Sequence, residues 1–179
     1  QSSGEPEGID DRVLLINDAF QIFEREIRKE WMVAPPALRE EFVYNLNFRD
    51  PIFDSLKKEY KEFNKWFRRI SREGRRCWVY FREDGSIGAL LIYKIEDEPI
   101  DSNPPLPKKK RLKISTFKVT YIGHKLGELL VKLSTDIAIN NSISEIYLSH
   151  FPPLFDVEDR LVDLICEYGF YKAAVNQKE

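Results

Sequence analysis

Residues 112–128 read Leu-Lys-Ile-Ser-Thr-Phe-Lys-Val-Thr-Tyr-Ile-Gly-His-Lys-Leu-Gly-Glu. β-Branched and aromatic residues dominate Leu112 to Val119 and specify a strand. Gly123 and Gly127 then mark a turn, after which Leu126, Leu129, Leu130, Leu133 and Ile137 recur at helical spacing. A strand passing through a glycine turn into a helix brings backbone N–H groups together at the positive end of the helix dipole, where an anion such as a pyrophosphate can sit. His124 and Lys125 stand where they can add side-chain donors. The plain alternative is that the two glycines are backbone punctuation; spacing alone leaves both readings open.

Downstream, Ile143 to Phe151 reads as a strand, and Pro152-Pro153 separates it from a helix carrying Val157, Leu161, Leu164, Ile165 and Tyr168. That helix closes at Gly169, and Phe170 to Val175 is a strand. Strand, helix and strand in succession require a crossover, so part of the sheet is expected to be parallel. Upstream, Cys77 to Phe81 and Ile87 to Ile95 flank Asp84-Gly85 and predict a β-hairpin. Glu96 to Lys110 carries Pro104, Pro105 and Pro107 and reads as an exposed loop. Its acidic triplet Glu96, Asp97 and Glu98 and the basic run Lys108 to Arg111 read as solvated charge. Their functional alternatives are amine binding or deprotonation by a carboxylate, and RNA contact by the cations.

The first 75 residues read as mainly helical. Val13, Ile16, Phe20, Phe23, Ile27 and Trp31 predict a helix from Asp11 to about Met32. Leu38, Phe42 and Leu46 predict a second. Asp50-Pro51 supplies an N-cap and first-turn proline for a third, which carries Leu56, Tyr60, Phe63, Phe67 and Ile70 and stops near Gly74. The expected architecture is α/β (α+β), a mixed and partly parallel sheet flanked by helices, with an amino-terminal helical extension. Residues 1–10 read as a tag or linker, 11–48 as the extension and 49–179 as the main domain. Gln1-Ser2-Ser3-Gly4 resembles a cleavage scar, so a piece of a longer protein is expected.

Composition narrows the function classes. Hydrophobic residues form 42% of the 179 and charged residues 32%, which suits a packed core. The net charge of −2 gives no global attraction to nucleic acid or anionic membranes. Cys77 and Cys166 are isolated from one another and read as buried thiols, with neither a disulfide framework nor a metal site. No apolar run approaches a membrane span, and a soluble cytoplasmic protein is expected.

The order of elements, the turn, and Glu167-Tyr168-Gly169-Phe170 together resemble the GCN5-related N-acetyltransferases (GNAT), from roughly Cys77 to the end. Members carry a Gln/Arg-x-x-Gly-x-Gly/Ala turn, which in one register falls on Ile122-Gly123-His124-Lys125-Leu126-Gly127. Here Ile122 replaces Gln or Arg and Lys125 replaces the middle glycine. Asp50-Pro51-Ile52-Phe53-Asp54-Ser55-Leu56 through Trp66-Phe67, with Lys113 to Val119, is similar to a prokaryotic branch found in chains with a PIN-type nuclease domain. The resemblance implies an acyltransferase with acetyl-CoA as cosubstrate and an amine acceptor that attacks the thioester directly. It assigns Phe117, Lys118 and Val119 to the pantetheine arm, and Gly123, His124, Lys125, Leu126, Gly127 and Glu128 to the pyrophosphate. Many members place a tyrosine acid four residues before the Gly-Phe, where this chain has Ile165. His150, following the strand, is a candidate base, its plain reading being a loop or capping histidine. Ile122, Lys125 and Ile165 motivate the alternative of a CoA-binding or scaffolding module beside a nucleic-acid-processing domain.

Overall fold

The computed structural model describes residues 12–17, 38–121, 125–150 and 159–176. Along the chain run β1 (Arg12–Asn17), β2 (Leu38–Phe42), α1 (Asp54–Glu59), α2 (Phe63–Arg72), β3 (Arg76–Phe81), β4 (Ile87–Ile100) and β5 (Ser102–Asn103). β6 (Leu106–Val119), α3 (Leu126–Asn140), β7 (Glu145–His150), α4 (Arg160–Glu167) and β8 (Tyr171–Asn176) follow. The strands form one mixed sheet in the order β2-β3-β4-β6-β7-β1-β8-β5. β6 and β7, joined through α3, run parallel, as the crossover required.

Each face of the sheet carries its own core. Ala89, Leu91, Leu112, Ile114, Ile146 and Leu148 pack against Leu126, Leu130 and Val131 of α3 and Ile165 of α4. Alternate residues of the same strands, Cys77, Val79, Leu90 and Ile92, pack on the other face with Phe53, Phe63, Phe67 and Ile70. Period-two alternation therefore feeds both layers, and each fully buried large side chain contributes about 1.5–3 kcal/mol.

The expected third helix begins as foreseen, with the Asp50 Oδ1 accepting from the Ile52 N–H at 2.9 Å, but it divides at Tyr60, whose backbone is extended. Gly74 and Gly169, both at positive φ, close α2 and α4. After α4, Gly169 N–H bonds the Cys166 carbonyl and Phe170 N–H bonds that of Ile165, with both Ile165 and Phe170 in the core.

Three expectations are corrected. The helix expected from Asp11 begins instead as β1, antiparallel to both β7 and β8. Val13-Leu14-Leu15-Ile16 is a continuous apolar run, and such a run fits an interior strand and a helix equally well. Residues 18–37 lie outside the described residues. Leu38 and Phe42 belong to β2, hydrogen-bonded along β3, and Val43–Asn45 is a 3-10 turn. The described parts of 11–48 are thus two strands and a short 3-10 turn rather than an α-helical extension. Finally, Glu96 to Lys110 is mostly the far end of the β4–β6 hairpin. Glu96 faces Arg111, Asp97 faces Lys110 and Glu98 faces Lys109 in the ladder, and Asp97 pairs with Lys108 across it, where sequence suggested a solvated loop.

Candidate functional site

The feature that interrupts the sheet lies between β6 and β7. Their parallel ladder comprises Leu112–Ile146, Lys113–Tyr147 and Ile114–Leu148, and then ends, although β6 runs on to Val119 and β7 to His150. At that point β6 bulges: Ile92 of β4 pairs with Thr116 and Tyr93 pairs with Ile114, leaving Ser115 as the extra residue. A bulge adds local twist and re-aims the strand. Beyond it, Thr120 donates its N–H to the Gly88 carbonyl at 2.8 Å. By antiparallel alternation Lys118 and Thr116 also turn their main-chain groups to β4, while Phe117 and Val119 turn theirs toward the vacated β7 side. The result is a wedge in which, among the described residues, nothing pairs with this edge of β6. Phe117 to Val119, expected from the sequence as site residues, lie on this stretch of β6, whereas the Ser115 bulge leaves no mark in the alternation of a single strand.

The turn from β6 opens at the same end of the sheet. Ile122, Gly123 and His124 lie outside the described residues. Lys125 is exposed, takes the left-handed conformation at φ 51°, and caps α3 without a side-chain hydrogen bond. Leu126 is buried in the core. Gly127 is also buried, and a Cβ placed there would stand 2.6 Å from Leu164 Cδ2 of α4. Its lack of a side chain therefore admits α4 against α3. Glu128 is half-buried in the first turn.

Arg82, absent from the sequence-derived site, also borders this turn. Its Nη2 donates to Thr120 Oγ1 at 3.2 Å, and its guanidinium lies 4.9 Å from the centre of the Tyr121 ring, which stacks on Tyr80. A lone arginine at a hairpin turn carries no sequence signal; only the pairing of β3, β4 and β6 brings it here.

On the opposite wall His150 ends β7. Its Nε2 is 2.6 Å from Asp159 Oδ2, and both side chains are about one-fifth exposed, at 19% and 21%. Asp159 Oδ1 also accepts from Val162 N–H as the N-cap of α4. His150 lies two residues beyond Leu148, where the ladder to β6 ends, and is paired with Arg12 of β1 on its other side. Ile165 is completely buried and supplies no proton donor, and Tyr168 packs against the same core.

The charges of the long hairpin are committed elsewhere. Lys108 pairs with Asp97, Lys110 Nζ donates to the Asn141 carbonyl at the end of α3, and Lys109 and Arg111 both reach Glu145 at 2.6 Å. Glu96 accepts from the buried Tyr147 hydroxyl, and burial followed by that carboxylate raises the phenol above its usual range. Cys77 is buried as expected, its thiol pushed up to about 12 by burial and then by Glu41 and Glu40. Cys166 is exposed, contrary to expectation, because it lies on the outer side of α4. Among the described residues no helix is long and apolar enough to cross a membrane, and no group of His, Cys, Asp and Glu could hold a metal.

No family model matches the chain, and no curated protein matches it. Solved structures do. A GCN5-related N-acetyltransferase from Ralstonia eutropha JMP134 superposes with TM-score 0.54 and 16% identity, covering 79% of this chain and 96% of that one. A tetramutant protein of Bacillus halodurans gives 0.53 and 17%, covering 83% and 96%. A tandem GNAT protein from the clavulanic acid biosynthesis pathway gives 0.52 and 9%, covering 95% of this chain. The chain spans about half (52%) of that tandem protein. At these identities the likeness is one of fold: the mixed sheet with flanking helices is the GNAT architecture.

Proposed function

We propose that the chain is an acetyl-CoA-dependent N-acetyltransferase whose cosubstrate enters the wedge between β6 and β7. The observation that carries this reading is the ladder ending at Ile114–Leu148, with the bulge at Ser115 and, beyond it, an edge that no described residue pairs with. Such an edge accepts an extended, amide-bearing arm as an added strand. Phe117 and Val119 supply the main-chain donors and acceptors. The uncapped start of α3, with Lys125 exposed beside it and Arg82 across the turn, suits a pyrophosphate. A main-chain N–H freed by the bulge is the available donor for polarising the thioester carbonyl. His150, held by Asp159, takes the proton from an attacking amine, and positioning supplies most of the remaining rate.

Calorimetry with acetyl-CoA on two proline variants tests the site. Val119→Pro removes an N–H that faces the wedge and is expected to weaken binding about tenfold while leaving thermal stability nearly unchanged. Lys118→Pro removes a β4 ladder bond and is expected to destabilise the fold. Unchanged affinity in folded Val119→Pro, or no binding by the wild type, overturns the reading. For catalysis, His150→Gln is expected to lower turnover about a hundredfold with acetyl-CoA affinity retained, measured by release of free thiol.

The buried Ile165 favours a second reading, a CoA-binding module without transferase activity. Wild-type binding of acetyl-CoA without transfer to a panel of amines, peptides and tRNAs selects it. A link to a PIN-type nuclease domain is part of this second reading, testable in the genomic coding sequence around the chain.

A further inference from the structure

The segment Lys57 to Arg76 holds nine of the 28 basic residues and three of the 30 acidic ones, in a chain of net charge −2. Lys65, Arg68, Arg69 and Arg72 fall within about 100° of arc on α2, opposite the buried Phe63, Phe67 and Ile70. They line an open depression of about 710 Å³ together with Asn64 and Glu73. Lys65 and Arg69 have only loose, exposed partners, Glu62 at 3.4 Å and Glu73 at 3.8 Å. Arg68 and Arg72 have no ion-pair partner among the described residues. Within the basic run of the long hairpin, by contrast, every cation is paired or hydrogen-bonded.

An aromatic platform stands at the carboxyl end of this helix. Val43 N–H bonds the Arg75 carbonyl and fixes the Val43–Asn45 turn there. Tyr44 on that turn is 56% exposed. Its inner face stacks on Phe42 at 5.0 Å and 8°, and Arg76 covers Phe42 at 5.0 Å. The stack is pre-organised from within, and its outermost ring is open.

We infer that the α2 face and Tyr44 form a binding surface for single-stranded nucleic acid, separate from the β6–β7 wedge. The cations run about 10 Å along the helix and suit a row of phosphates. The rigid exposed ring suits a base, because every base has a π-face. An acidic peptide would use the cations and leave the ring idle, and this difference favours nucleic acid.

Fluorescence anisotropy with a labelled 12-residue oligouridylate, at salt from about 50 to 200 mM, tests the inference on the whole chain. Arg68→Gln/Arg72→Gln is expected to weaken binding about tenfold and to reduce the magnitude of the log–log salt slope by about 1.4. Tyr44→Ala is expected to weaken binding at least about fivefold with the slope unchanged. Lys108→Gln, removing an exposed cation elsewhere, is expected to have little effect, and circular dichroism checks that each variant folds. Oligothymidylate binding as well as oligouridylate assigns the surface to single strands of either sugar, and weaker binding assigns it to RNA. No wild-type binding, equal loss in Lys108→Gln, indifference to Tyr44→Ala, or equally effective competition by polyglutamate overturns the inference. None of these readouts involves acetyl-CoA, so failure here is distinct from failure of the transferase reading.

Discussion

Replacing Glu145 with alanine is expected to lower the unfolding free energy by about 3–5 kcal/mol in urea titration. Arg111, whose side chain is 3% exposed, donates Nε to Glu145 Oε2 at 2.6 Å and an Nη to the Pro107 carbonyl. Without the carboxylate a buried guanidinium keeps its charge and loses its counterion, the costly way to break such a pair. Glu145→Gln keeps one acceptor and is expected to cost less. Burial pushes the Glu145 carboxyl up, but hydrogen bonds and charge from Lys109 and Arg111 outweigh it and hold the group below its ordinary value of 4.5. A carboxyl depressed in the folded state stabilises above its unfolded pKa and loses that contribution as pH falls through the folded value. The wild-type advantage over Glu145→Gln should therefore shrink below about pH 4.5.

The same pair has a functional consequence. Arg111 and Glu145 immediately precede Leu112 and Ile146, so their bridge clamps β6 to β7 at the closed end of the wedge. Under the transferase reading, folded Glu145→Gln should bind acetyl-CoA more weakly than the wild type because the two walls are less firmly spaced.

Asp50→Ala is expected to cost about 2–4 kcal/mol and to lower Tm by roughly 5–15 °C. Asp50 is 5% exposed and uses both oxygens on backbone: Oδ1 caps Ile52 N–H, and Oδ2 accepts the Ile87 N–H at 2.9 Å. One carboxylate thus starts the helical segment and fastens it to the first residue of β4. Alanine removes the cap and leaves a buried N–H without a partner. Asp50→Asn, retaining one oxygen, should lose roughly half as much in differential scanning fluorimetry.

Asp50 was legible in the sequence because Asp-Pro before an apolar helical stripe is a local signal. Gly74, Gly85 and Gly169 were legible for the same reason, each marking a turn that needs positive φ. Residues 96–110 misled because proline and dense charge mimic a loop, while the partners of those charges, Glu145, Tyr147 and Asn141, lie far along the chain and meet them only in the folded sheet. β1 misled because four consecutive apolar residues do not distinguish a strand from a helix. At the site, the strand-turn-helix segment was readable. The Asp159 partner of His150, the position of Arg82 and the packing role of Gly127 were not, since each depends on an element distant in sequence.

The position of β1 between β7 and β8 also bears on how the chain acquires its fold. The first strand to leave the ribosome among the described elements pairs only with two of the last, Arg12 meeting both His150 and Val175. That half of the sheet cannot assemble in order of synthesis; β1 must wait, apolar and unpaired, until the carboxyl end emerges. Such late, long-range closure slows folding and leaves a strand-shaped slot in which the β1 of another molecule could lodge.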